Sequence, residues 1–536
     1  MTKPLYFVGH LRRLLVLAVL ACGPVQYFID DSLDNIVCTI IAITASIVTF
    51  LYVLRINRFR RTPISCVMIL GFNVSAFSAA ILIQTIALRS LTYNLSSSLM
   101  TFSTLMETQL LIIIVHFVYT RSHALNGLRL SLTRYVFGPM RLLEAPTNFQ
   151  LWLFGFIGCG ATIVSARTYT DAMDYGDVSG KFLLGYVPFA VAPFFIPLRA
   201  YLFGRSKQSS GNWLSVSAYA LLLIAVAMAN NARATFSAGF LTLSLAGLIA
   251  ILSGNFKVTR KTVYSGVLFA AVAVPVFTTL SDLSTAMVIA RDQRSNVSSL
   301  ELIEITLSNF QDKTLIEERR RRDAAILNGE YNENYVNNPI FARFVYTKFV
   351  DVNMTNALLL TDSQAQEVRR TSWECVLALL PTPVARYFGI DVDKSDLGFS
   401  SGDIYSYIAR GFELGSYTTG SEIPDGLTIF GLFFWPVLAL FVLVQFVVYD
   451  ALSVTDKTGK LVITAVALLN IVPIFTLGVM QESVANQVSA IVRGIPQLIF
   501  LYLIVVVISS AITSILPVPG GVFRRPSVRK KELRRT

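Results

Sequence analysis

Long apolar stretches alternate with short connections whose charge switches sign class, and this alternation limits the chain more than any other feature. Stretches able to cross a hydrocarbon core of about 30 Å lie at 14–29, 35–54, 64–88, 99–120, 150–166, 181–202, 213–229, 236–253, 263–281, 427–449, 461–480 and 494–515. Only helices or closed barrels satisfy their backbone in lipid, and runs of this length are helical rather than alternating. The expectation is an all-α polytopic membrane protein of twelve spans. With 54% hydrophobic and 15% charged residues, a soluble domain of this size is excluded.

Basic connections carry Arg12 and Arg13; Arg55 to Arg61; Arg121 to Arg141; Arg199 and Arg205; Lys257 to Lys261; Lys457 and Lys460; and the tail from Arg524 to Arg535. The intervening ones are acidic or nearly uncharged, as at Asp30, Asp31 and Asp34. The positive-inside rule then puts both termini in the cytoplasm. Four parts follow: a nine-span bundle over 1–281, an external loop over 282–426, three spans over 427–515 and a basic tail over 516–536. The loop reads as helical, with apolar faces at 300–310, 339–349 and 364–380 suited to a lid over the bundle. The net charge of +12 falls mostly in short connections and the tail, which suits anionic lipid headgroups and not nucleic acid.

Five scattered cysteines imply neither a disulfide framework nor a zinc site. The three histidines, His10, His116 and His123, all lie on or toward the cytoplasmic side of this topology, so the external side has no histidine to serve as base or metal ligand. No phosphate loop, HExxH helix or GxSxG elbow is present.

Chemistry on the external side therefore rests on arginines and carboxylates. Arg233 stands in the polar break Asn230-Asn231-Ala232-Arg233, where a guanidinium is costly unless solvated or paired, and Arg343 sits among Phe341, Phe344 and Tyr346. Arg410 and Arg493 are further cations on that side. A guanidinium fork binds a diphosphate through charge-assisted bonds without changing protonation. Arg233 and Arg493 could equally mark helix ends, and Arg343 could simply stack on its aromatic neighbours. Glu422 and Asp425 stand where the loop turns back into the membrane; each is a candidate base, with a turn and helix-start motif as the plain alternative for both and Asp425 as its cap. Glu107 is an acid inside the fourth span, there for substrate or for a hydrogen bond to a neighbouring helix.

Three segments resemble the bacterial O-antigen and exopolysaccharide polymerases of the Wzy type and the related O-antigen ligases: Asn230 to Phe240, the aromatic-flanked Arg343 in one large loop, and the return segment Gly420 to Gly431. The ligases carry a histidine in the large loop, which this chain lacks, and a spaced Arg-to-Gly motif is met only by Arg410 and Gly420. The resemblance implies a bacterial inner-membrane glycosyltransferase that polymerises undecaprenyl-diphosphate-linked repeat units on the periplasmic face, without metal or other cofactor. Catalytic roles would fall to Arg233, Arg343 and Glu422, and substrate binding to Arg410, Arg493, Asp425 and Glu107. A chain-length regulator and a repeat-unit flippase are implied partners. The alternatives are a ligase-type glycan transferase and a transporter of lipid-linked sugar.

Overall fold

The computed structural model describes residues 3–515 except 169–181, 205–211, 231–232, 294–296, 326–334, 337, 339–340, 381, 391–396, 398, 416–417 and 457. The basic tail, 516–536, lies outside the described residues. The chain is mostly helical, and among the described residues seven helices are long and apolar enough to cross a membrane. They are α1 (Phe7–Ile29), α2 (Leu33–Val53), α3 (Pro63–Ile86), α4 (Ser98–Arg121), the stretch Phe182–Leu202, and the long helices Glu422–Asp450 and Val484–Ile515. Shorter apolar helices occupy Asn148–Val164, Trp213–Ala229 and Ala238–Leu252.

Two apolar stretches depart from simple helix for local reasons. Between Val187 and Leu198 the backbone is 3-10, because Pro188, Pro193 and Pro197 each remove an amide donor that an α-helix needs. The stretch 461–480, expected as one span, opens with strand Leu461–Ile463 paired antiparallel to Ser453–Thr455. Two short helices follow, Ala465–Leu469 and Ile471–Leu477, broken at Asn470. The second packs tightly on α3: a Cβ on Gly71 would stand 1.8 Å from the Phe475 carbonyl oxygen, so only glycine allows the approach.

The basic connections meet at one end of the bundle. Arg60 donates to the Ser253 carbonyl at 2.5 Å, Arg129 to the Arg61 carbonyl at 2.6 Å, and Asn255 to the Tyr201 and Leu461 carbonyls at 2.7 Å each. At the opposite end sits the 282–426 segment, built from helices Ser299–Gln311, Lys313–Ala325, Thr347–Leu359, Asp362–Leu377, Thr382–Tyr387 and Ser401–Arg410.

This lid is fastened to the bundle, not draped on it. Residues Val74–Ser78 of α3 form a π-turn, which shifts the helical bonding frame. Tyr346 N–H donates to the Ser75 carbonyl at 2.9 Å and Thr347 Oγ1 to the Ala76 carbonyl at 3.0 Å. Four residues on, the Asp351 carboxylate accepts the Ser96 and Ser97 amides at 2.9 and 2.8 Å, capping the start of α4. Lys348 lies 3.3 Å from the same carboxylate and also donates to the Asn94 carbonyl. The first part of the lid is held separately: Asp282 pairs with Lys313 at 2.7 Å and Arg320 at 2.8 Å. Beside that clip, Leu283 and Met287 pack with Ala227, Met228, Ile303 and Phe310.

Candidate functional site at the return segment

The chain leaves the lid through Thr418 to Ser421 and turns into helix Glu422–Phe430. Glu422 and Asp425 are 0% and 1% exposed. Three residues apart, they share one face of this helix. That face meets the turn 481–484, and the two segments are stitched in register. Gln481 N–H donates to Glu422 Oε2 at 2.8 Å, Glu422 N–H to the Gln481 carbonyl at 3.1 Å, and Val484 N–H to Asp425 Oδ2 at 2.9 Å. Ser372 from the lid completes Asp425 by donating to Oδ1 at 3.0 Å. The close fit explains Gly420, where a Cβ would fall 1.8 Å from Ser401 Oγ and 2.5 Å from the Glu482 carbonyl oxygen.

The two carboxylates therefore differ in what they have left to give. Both oxygens of Asp425 are engaged, and it caps the helix beginning at Val484, not its own. Glu422 spends one oxygen on Gln481; its other oxygen, Oε1, is buried with no hydrogen-bond partner among the described residues. Ser421 Oγ beside it is in the same condition. An unsatisfied buried acceptor costs about 1–3 kcal/mol, more when charged, so a free valence here points to a proton or a ligand group.

The rest of the neighbourhood comes from the lid. Tyr346 Oη donates to the Gly420 carbonyl at 3.2 Å and Asn353 Nδ2 to the Thr419 carbonyl at 2.9 Å. Asp403 accepts Thr418 N–H at 2.7 Å and Thr418 Oγ1 at 2.6 Å, fixing the approach to the turn. Tyr405 Oη reaches the Pro424 carbonyl at 3.4 Å; burial first, then the Asp425 carboxylate, pushes its phenol well above the ordinary value. Burial likewise pushes the nearby Cys375 thiol up to about 11, so it is no ready nucleophile. Arg369 Nε donates to the Thr428 carbonyl at 2.7 Å, and its exposed guanidinium overhangs the short helix.

Of the residues singled out from sequence, Glu422 and Asp425 come together directly. Arg410 lies one helix away, donating through Nε to Asn356 Oδ1 at 2.6 Å. Arg343 belongs to the 3-10 turn Phe341–Phe344 and stands three residues before the Tyr346 that bonds the Gly420 carbonyl; its side chain lies outside the described residues. Arg233 heads helix Arg233–Leu252, which packs on Ile471–Leu477, the segment that leads to Gln481; its side chain too lies outside the described residues. Arg493 sits exposed on a π-turn, bonded through Nε to Gln497 at 3.3 Å, and Glu107 is exposed on α4; neither joins the carboxylate pair.

Sequence reading passed over Ser372, Tyr405 and the 481–484 turn. Their spacing to the pair is long range, and no sequence signal marks the two backbone contacts, which share a 59-residue offset. Among the described residues no three His, Cys, Asp or Glu side chains gather as a metal would require. Comparison with family models, curated proteins and solved structures gives no match for this chain.

Proposed function

We propose that the chain is a membrane glycosyltransferase of the polysaccharide-polymerase type, acting on lipid-diphosphate-linked oligosaccharides at the lid end of the bundle. The observation that carries this is the open Oε1 of Glu422 at a junction of lid, return helix and the 481–484 turn. In this reading the chain crosses the bacterial inner membrane twelve times, with the basic connections in the cytoplasm and 282–426 in the periplasm. Gathering of the basic connections at the end opposite the lid supports that orientation.

The transfer needs little from the protein beyond positioning, charge and one base. An acceptor sugar hydroxyl oxygen attacks the anomeric carbon of the donor glycan. The bond from that carbon to the diphosphate oxygen breaks, and the diphosphate departs with the electron pair. Glu422 takes the hydroxyl proton. Arg343, near the Tyr346 that bonds the Gly420 carbonyl, and Arg233, at the head of the helix that packs on Ile471–Leu477, stabilise charge on the leaving diphosphate. Arg410 and Asp425 hold the surrounding helices in place.

The test is Arg233→Ala in cells. Polymer disappears while single repeat units still reach the surface lipid carrier; full-length polymer in that variant removes Arg233 from the mechanism.

A further inference from the structure

Apart from the carboxylate pair, helices α2, α3 and α4 enclose polar groups that the bundle leaves incomplete. Asn73 Nδ2, both amide atoms of Gln109, and Thr49 Oγ1 are buried with no hydrogen-bond partner among the described residues. All three residues are 0% exposed and lie on apolar helices. Two contacts fix their relative depth. Near the end of the bundle that holds the basic connections, Ser65 Oγ and His116 Nε2 lie 3.0 Å apart. Asn73 stands eight residues along α3 from Ser65, and Gln109 seven residues along antiparallel α4 from His116. At about 1.5 Å per residue, they are about 12 and about 10 Å from that bond, in one layer. The Phe77–Phe102 ring contact, 6.2 Å between centroids, keeps the two helices together above it.

Helix α2 joins the same layer. Ser46 Oγ lies 2.9 Å from Ser78 Oγ, which donates to Asn73 Oδ1 at 2.6 Å. Thr49 is one turn further along, and Tyr52 Oη lies 2.9 Å from His116 Nδ1. From His116 the chain runs through Ser65 to Asp450, where Ser65 Oγ donates to Oδ2 at 2.6 Å and the Ile64 and Ser65 amides donate to Oδ1.

The free valences are mixed: amide N–H donors from Asn73 and Gln109, an amide oxygen acceptor from Gln109, and a hydroxyl able to play either part. A cation site is built from oxygen acceptors, and an anion site from donors. A mixed set suits a neutral ligand that donates and accepts at once. We propose that α2, α3 and α4 bind ordered water between the Asn73 and Gln109 amides and the His116–Ser65–Asp450 chain, forming a hydrated seam inside the bundle. A buried water satisfies two to four polar groups and is retained for that reason.

Hydroxyl-radical labelling of the full-length protein in heavy-oxygen water tests this, because radicals formed from bound water mark the side chains beside it. Phe72, Phe77 and Phe102, whose buried rings contact one another beside the layer, acquire label, while the equally buried Phe154 and Phe195 in the other part of the bundle do not. The paired substitution Asn73→Leu and Gln109→Leu abolishes that labelling. Silence at Phe72, Phe77 and Phe102 in the unaltered protein overturns the proposal, whether or not the variant folds. Labelling that persists in a folded variant also overturns it.

Discussion

Replacing Asp351 with alanine tests whether the lid is a fixed part of the bundle. The carboxylate is fully buried, accepts two backbone amides at the head of α4 and lies 3.3 Å from Lys348, itself 6% exposed. Removing one member of a buried ion pair costs about 3–5 kcal/mol, because the survivor is left charged and desolvated. Each orphaned amide adds about 1–3 kcal/mol where water cannot reach it. The Ser96 and Ser97 amides are only partly buried, so water can reach them and the pair dominates. A loss of about 4 kcal/mol follows, which raises the open population of this contact roughly a thousandfold. Amide hydrogen exchange by mass spectrometry reads it as faster exchange over 94–101 and 347–359, with the helix Asn148–Val164 unchanged. Asp351→Asn keeps one acceptor and loses about half as much. Adding Lys348→Met to Asp351→Asn restores part of the protection, since no unpaired charge remains. Unchanged exchange in Asp351→Ala, or a double variant worse than the sum of its parts, refutes the reasoning.

Other consequences are as direct. Gly71→Val places atoms within the space of the Phe475 backbone and prevents α3 from seating, seen as loss of folded protein at expression; normal yield and melting contradict the packing. Burial acts to raise the Asp282 carboxyl, but the Lys313 and Arg320 hydrogen bonds outweigh it and hold the group below its ordinary value. A depressed carboxyl contributes stability that is whole above the unfolded value of about 3.9 and fades as pH falls through the folded one. Protection over 299–325, taken relative to the intrinsic exchange rate, therefore falls below about pH 4, and Asp282→Asn removes that pH dependence. Asp425→Asn loosens the 481–484 turn from the lid, by about 2–4 kcal/mol, measured as faster exchange at 481–489.

Hydrophobic run length made the membrane class and the helical content legible, because lipid leaves the backbone so few choices. It could not show that 461–480 breaks at Asn470, where a helix stop inside an apolar run is decided by tertiary contacts with α3 and with Tyr449. Nor did the sequence Val-Ser-Ala-Phe-Ser announce a π-turn, whose use becomes clear only when Tyr346 and Thr347 take up its carbonyls. At the site, the position of Glu422 where the loop re-enters the membrane was legible, while its complete burial and open oxygen emerge only from the packing against 481–484. Asp425 was half legible: a cap, but for a helix 59 residues away. Lys348 and Asp351, unremarked in the sequence, form the buried fastening of the lid.

The central claim is that Glu422 is the base of a sugar transfer from a lipid diphosphate. Purified protein supplied with polyprenyl-diphosphate-linked repeat units, assayed by gel for polymer, tests it against Glu422→Gln, a change that keeps shape and removes the base. The account predicts polymer and released lipid diphosphate from the unaltered chain, and neither from the variant with its exchange pattern intact. Equal polymer from both, or none from the unaltered chain in an active membrane extract, contradicts it.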